Sequence, residues 1–186
     1  MSTIASNPLM IRVIFLFIAF LCWSGSTVPL LAQQSGSTAQ NPDIISGLAS
    51  VIDSDIIRIG NQRVILWGID APERTQFCYR NGVEWGCQAA AFRTLEILAG
   101  RGEVSCYLLG DPDPFNRRYG VCESGGSNIN EEMVLSGMAL AFSEQTDEYE
   151  MIQLRAITEG NGVWALDVKF QPPWEFRRAN TPGGYR

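Results

Sequence analysis

Apolar and polar residues alternate from Ile44 to Leu66, interrupted by turn residues at Asp53-Ser54 and Gly60-Asn61. A period of two between turn signals predicts strands rather than helix. Three strands are expected: Ser46–Ile52, Asp55–Ile59 and Gln62–Ile69. Asp70-Ala71-Pro72-Glu73 ends the third, because proline keeps its predecessor out of helical backbone. The period then changes. Ala91, Phe92, Leu95 and Leu98 share one face of a helix expected over Gln88–Ala99 and stopped by Gly100. Glu103–Leu108 and Arg118–Glu123 return to strand-like alternation. Asn130–Ser136 predicts a short helix with Glu131 and Glu132 in its first turn and Gly137 as its stop. A last helix is expected over Glu148–Glu159, capped by Asp147 and closed by Gly160. The run Phe170–Arg178 (FQPPWEFRR) is too rich in proline and aromatic residues to predict either regular element. Three strands, a helix, two strands and further helices predict an α+β fold. Its expected centre is a five-stranded OB-type β-barrel with about three packed helices.

Ahead of the strands lies a different kind of segment. The first 42 residues hold no Asp or Glu and one basic residue, Arg12, followed by eleven apolar residues from Val13 to Trp23. A positive flank, a short apolar core and a small-residue region predict a secretory signal peptide over residues 1–32. Eleven residues fall short of the about 20 that span a bilayer. Continuing through Val28–Ala32 lengthens the run, so an uncleaved anchor is the alternative. Residues 33–42 read as a flexible polar lead-in, residues 43–168 as one domain and residues 169–186 as a C-terminal tail. The expected location is periplasmic or secreted, with no stable membrane insertion after cleavage.

Charge and residue usage narrow the chemistry. Without Arg12, 13 basic residues face 20 acidic ones, a net charge of −7, and Lys169 is the only lysine. Such a field opposes non-specific binding of a polyanion, although a local arginine cluster can still attract one. The chain contains no histidine, which excludes Ser-His and Cys-His triads and histidine-dependent metal centres. Carboxylates, arginines or a hard metal ion must carry any catalysis. Cys78, Cys87, Cys106 and Cys122 follow the export segment, an even number that reads as two disulfides in an oxidising compartment. Three pairings are open, with four free thiols as the alternative. Cys106 and Cys122 sit in strand-like runs around a turn and are expected to pair, which leaves Cys78 with Cys87. No C-x₂-C spacing points to zinc.

Two acidic turns are the candidate site. Asp53-Ser54-Asp55 joins two strands, and Asp70-Ala71-Pro72-Glu73 follows the next but one. Neighbouring strands lie about 4.8 Å apart, so aspartates at two strand ends can converge on one cation. Carboxylates and a backbone carbonyl are ligands that Ca²⁺ prefers, and Glu73 is spaced to orient or deprotonate a water. Taken singly, both segments also read as ordinary turns.

The whole run VIDSDIIRIGNQRVILWGIDAPE resembles the core signature of the staphylococcal-nuclease (thermonuclease) family. Its usual form there is D-G-D-T followed by R-L-x-G-I-D-A-P-E. The likeness continues through Ala90 and Leu95, Arg118-Tyr119-Gly120, Ile129-Asn130-Glu131, Gly137-Met138-Ala139 and Gly162-Val163-Trp164 in family order. The cysteines and the P-W-E-F-R-R tail resemble an exported bacterial branch, some of whose members are associated with exopolysaccharide synthesis. The resemblance implies a Ca²⁺-dependent phosphodiesterase acting on DNA or RNA. Asp55 and Asp70 would be metal ligands, Ala71 would lend its carbonyl, Asp53 would support the metal, and Glu73 would be the general base.

Departures from the pattern matter as much. The family's two phosphate-binding arginines fall at Ile65 and Val121, its threonine at Ile56, its glycine at Ser54, and an aspartate at Arg117. Removing one preorganised donor costs about 10²–10³ in rate, so two losses approach about 10⁴–10⁶. Arg63, Arg117 and Arg118 are the arginines near enough in sequence to stand in as substrate-binding groups. The expected function is therefore an exported thermonuclease-like protein whose activity is weak or lost. A catalytically inactive binding protein of the cell envelope is the alternative. Single-stranded nucleic acid, a protein or a polysaccharide are its candidate partners.

Overall fold

The structure is a computed structural model, and it describes residues 44–180. The signal-peptide and lead-in expectations lie outside the described residues. In chain order the elements are β1 (Ile44–Gly47), β2 (Ala49–Asp53), β3 (Ile56–Ile59), β4 (Gln62–Leu66), β5 (Ile69–Asp70), β6 (Cys78–Arg80) and β7 (Val83–Trp85). Then come α1 (Cys87–Ala99), β8 (Val104–Leu109), β9 (Arg117–Ser124), β10 (Ser127–Asn128) and α2 (Ile129–Leu135). β11 (Leu140–Ala141), α3 (Glu150–Glu159), a 3₁₀ turn (Gly162–Trp164), β12 (Val168–Lys169) and α4 (Pro173–Asn180) complete the chain.

The architecture is α+β, as the alternation predicts. The main sheet runs β1-β8-β9-β4-β3-β2, with β10 paired to β9. All neighbours are antiparallel except β4 and β9, which run parallel because α1 and β8 intervene as the crossover. The expected closed five-stranded barrel is corrected here. Residues 46–52 do not form one strand: the chain breaks at Leu48, β1 bonds to β8, and β2 bonds to β3. The two edges of the sheet are thus joined by one residue but share no ladder, and the sheet stays open. The third expected strand also breaks, at Trp67-Gly68, so that Ile69-Asp70 pairs instead with Leu140-Ala141 of β11.

Ile57, Val64 and Leu66 of the sheet form the core with Ala91, Leu95 and Leu98 of α1 and Met133 and Val134 of α2, all buried. α1 starts at Cys87 rather than Gln88 and α2 at Ile129 rather than Asn130, each one residue early. The Asn128 side chain accepts from the Glu131 N–H at 3.1 Å and caps α2, with Glu131 and Glu132 in its first turn. One buried side chain fastens α2 to the sheet. Asn130 Oδ1 accepts from the Cys122 N–H at 3.1 Å, while its Nδ2 donates to the carbonyls of Trp67 at 2.9 Å and Gly120 at 3.1 Å. Gly68 is required where the chain leaves β4. Its φ is +75°, and a Cβ there would stand 2.5 Å from Thr146 and 2.7 Å from the Tyr149 ring.

Both disulfides form as expected. Cys106 and Cys122 are directly opposite on β8 and β9, 4.1 Å apart at Cα. The Cys122 N–H goes to Asn130 rather than across the ladder, the arrangement that brings opposite Cα atoms closest. Cys78–Cys87 ties the β6–β7 hairpin to the start of α1.

The tail is a second correction. Pro173–Asn180 is helical, a fourth helix where no regular element is expected. Pro173 occupies the first helical position, where its missing N–H costs nothing, and Glu175 and Phe176 donate back to the Pro172 carbonyl. Glu175 in the first turn and Arg177 and Arg178 in the last complement the helix dipole.

Candidate functional site

The two acidic turns converge. Ser54 Oγ donates to the Pro72 carbonyl at 2.6 Å in a buried bond, and the Leu66 N–H donates to the Asp55 carbonyl. A serine in place of the family's glycine thus stitches the first turn to the Asp-Ala-Pro-Glu loop. Within the pocket so formed, Asp70 is completely buried, Asp55 and Ala71 are buried, and Glu73 is half-buried.

What faces these carboxylates is a guanidinium from α4. Arg177 Nη1 and Nη2 donate to the two oxygens of Asp70 at 3.0 and 2.6 Å, and Nη1 also donates to Glu73 at 2.5 Å. The Arg177 side chain is 11% exposed, against 0% for Asp70 and 34% for Glu73. Buried Gln76 and partly buried Trp174 place it. Gln76 accepts from the Glu73 N–H and donates to the Gln171 carbonyl at 2.6 Å, joining the acidic loop to the segment that leads into α4. Trp174 packs its ring 5.7 Å from that of Phe142, beside the β5–β11 ladder that holds Asp70. Burial raises the Asp70 carboxyl above its ordinary value, and the hydrogen bonds and charge of Arg177 pull against that rise. Desolvation acts to lower Arg177, but its bonds to Asp70 and Glu73 outweigh it and push the guanidinium upward.

The other predicted residues fall in three places. Asp53 accepts from its neighbour's N–H and is paired with Arg74 at 2.8 Å, outside the pocket's interior. Ile65 is 4% exposed, with Ile56 and Tyr119 beside it on β3 and β9, so the first arginine position is sealed by aliphatic carbon. Val121 lies opposite Tyr107 on β8, in a shallow cleft with Ile44 and Ser105. Arg63 is exposed, in register with Arg58 and Arg117, about 6.6 Å along β4 from Ile65. Arg117 is held by Asp113 at 2.7 Å and covers the Phe115 ring. Arg118 is in register with buried Val64, on the opposite face from Arg117.

Calcium takes about six to eight oxygen ligands from carboxylates, carbonyls and water. Here both oxygens of Asp70 and one of Glu73 already accept from Arg177. Among the described residues, no group of three or more Asp, Glu, His or Cys stands together to hold a metal. As arranged, these residues do not fit the ion. They fit a cation that the chain itself supplies.

Sequence reasoning passed over Arg177. A local signal existed in Pro-Pro-Trp-Glu-Phe-Arg-Arg, which has the proline-first, acid-then-base order of a short helix. Nothing local could connect it with an aspartate 107 residues earlier.

Comparison with known proteins identifies the family. The model of the staphylococcal nuclease homologue family matches residues 63–166, more than half of the chain. The Succinoglycan biosynthesis protein ExoI of Rhizobium meliloti (strain 1021) is 32% identical over 146 residues, 75% of this chain and 74% of that protein. With the acidic loop, α1 and α2 all inside the matched span, the chain belongs to the staphylococcal nuclease homologue family.

Proposed function

We propose that this chain is a non-catalytic binding module of the family, acting outside the cytoplasm in exopolysaccharide production. The observation that carries the reading is the Asp70–Arg177–Glu73 cluster. A hydrolytic site of this family needs a divalent cation on the carboxylates and arginines toward the phosphate. Here both requirements fail: a guanidinium of the chain sits on the carboxylates in place of a metal ion, and uncharged Ile65 and Val121 stand at the arginine positions. Substitution by other arginines finds little support, because Arg117 is engaged by Asp113 and Arg63 lies one side-chain row away. The relative named for succinoglycan biosynthesis supports the polysaccharide context. Two disulfides suit an oxidising compartment, and no helix among the described residues is long and apolar enough to cross a membrane.

A residual Ca²⁺-dependent nuclease is the second reading, favoured by the buried Ser54–Pro72 bond that holds the two acidic turns together. It requires Arg177 to leave Asp70 before any ion arrives. The assay that separates the two is cleavage of single-stranded DNA by highly purified protein in millimolar Ca²⁺, beside Glu73→Gln. Equal, background-level release from both proteins supports the binding module. Calcium-dependent cleavage that Glu73→Gln abolishes would overturn it.

A further inference from the structure

The hairpin β6–β7 and strand β12 form a separate three-stranded sheet at the foot of α4. Phe77 and Tyr79 flank Cys78, two residues apart, so they project from one face while Cys78 turns into the interior. They are 53% and 47% exposed, against 0% for Cys78. Together with Lys169, Phe170, Gln171 and Phe176 they line an open cleft of about 300 Å³. Four aromatic rings gathered at one surface mark a recognition site more often than chance exposure.

The cleft is rigid. The Cys78–Cys87 disulfide sits between the two exposed rings, Phe170 is held edge-on against Trp164 at 4.9 Å, and Phe176 precedes Arg177, which is anchored on Asp70. Rings held before a ligand arrives spend little ordering entropy on binding. The charges are sparse. In register, Lys169 lies on one side of Tyr79 and Glu84 on the other, one cation and one anion in the row at Tyr79, while the next residue of β6, Arg80, lies over the Trp85 ring and near Asp167.

That pattern decides between two kinds of ligand with flat faces. A nucleic-acid strand stacks on aromatics but carries a phosphate at every nucleotide, and its affinity comes from several neutralising cations. Here a single lysine would meet it, with Glu84 repelling the next phosphate and a chain of net charge −6 behind. A saccharide with an occasional carboxylate places sugar faces on the rings and one carboxylate on Lys169. Its hydroxyls can donate to Glu84.

We infer that the Phe77–Tyr79–Phe170–Phe176 cleft with Lys169 is a binding site for a sparsely charged acidic saccharide chain. The inference rests on the binding-module reading and names its ligand class. The test is calorimetric titration of the purified protein with a hyaluronan tetrasaccharide, a hyaluronan octasaccharide, neutral cellohexaose and the oligonucleotide (dT)8. At least one carboxylate-bearing saccharide should bind, more tightly than cellohexaose and (dT)8. Phe77→Ala with Tyr79→Ala should weaken that binding at least about tenfold, about 1.4 kcal/mol. Lys169→Gln should remove the preference over cellohexaose. Both exposed aromatics can be replaced without opening the core, and a thermal melt checks that each variant is folded. Failure of every acidic saccharide at millimolar concentration, tighter binding of (dT)8, or unchanged affinity in the folded double variant would overturn the site. Because these readouts involve no hydrolysis, such a failure leaves the non-catalytic reading standing, and DNA cleavage by a saccharide-binding protein would sink only the latter.

Discussion

Replacing Arg177 by alanine removes the partner of a fully buried carboxylate. Two of its three hydrogen bonds go to Asp70, which has no exposed surface, and the third to Glu73, a third of which is exposed. The share owed to Glu73 is small, about 0–1 kcal/mol, because solvent can replace the arginine there. The share owed to Asp70 is large, since breaking a buried pair leaves an uncompensated charge, at about 3–5 kcal/mol. Against a total stability of about 5–15 kcal/mol this is a large perturbation. Urea unfolding at neutral pH, read from the midpoint at constant slope, measures it. The pH dependence identifies the cause. Asp70 already titrates above its ordinary value, and loss of Arg177 removes the influence that pulls it down. A carboxyl raised in the folded state binds more protons folded than unfolded, so stability falls as pH rises through that window and returns as pH falls. The deficit of Arg177→Ala should therefore shrink as the pH is lowered from neutral, as Asp70 takes up a proton in place of the arginine. Asp70→Asn should make the same arginine substitution cheaper, with a coupling of about 1–3 kcal/mol. A loss below about 0.5 kcal/mol at neutral pH, or a deficit that grows on acidification, would refute the reasoning.

Three further outcomes follow from the packing. Asn130→Ala strands the Trp67 carbonyl and the Cys122 N–H, while the Gly120 carbonyl keeps the Trp67 N–H, and at about 1–3 kcal/mol per buried orphan it should cost about 2 kcal/mol or more by urea titration. Gly68→Ala should destabilise by more than about 2 kcal/mol, since the strained φ of +75° is compounded by the Thr146 and Tyr149 contacts; a shift within about 0.5 kcal/mol would show that the loop relaxes freely. Reducing Cys106–Cys122, which closes 16 residues, should lower stability by about 3 kcal/mol, measured as a lower melting midpoint in dithiothreitol.

Much of the fold was legible because it is written in local periods. The alternation through Ile44–Leu66 placed β2, β3 and β4, and the spacing of Ala91, Leu95 and Leu98 placed α1. Motif order added the family and, with it, the OB-type fold that the family implies. The misreadings have a common source in long-range partners. Leu48 interrupts a continuous alternating run because β1 and β2 find hydrogen bonds at opposite ends of the sheet path, which no window of sequence reveals. β6 and β7 were missed because Tyr79, Val83 and Glu84 are exposed on both counts, giving no buried-face pattern to detect. At the site, Asp70 and Glu73 were legible as carboxylates and Ile65 and Val121 as gaps. Their partner was not, since Arg177 belongs to a tail that reads as irregular.

Arg177 stands on the carboxylates where a divalent cation would bind, and calcium titration by calorimetry, on the full protein and on Arg177→Gln, asks whether it excludes that ion. The unmodified protein should give no saturable heat at millimolar Ca²⁺ and neutral pH, and Arg177→Gln should show binding that disappears when Asp70→Asn is added. Saturable binding by the unmodified protein that Asp70→Asn removes would contradict that exclusion.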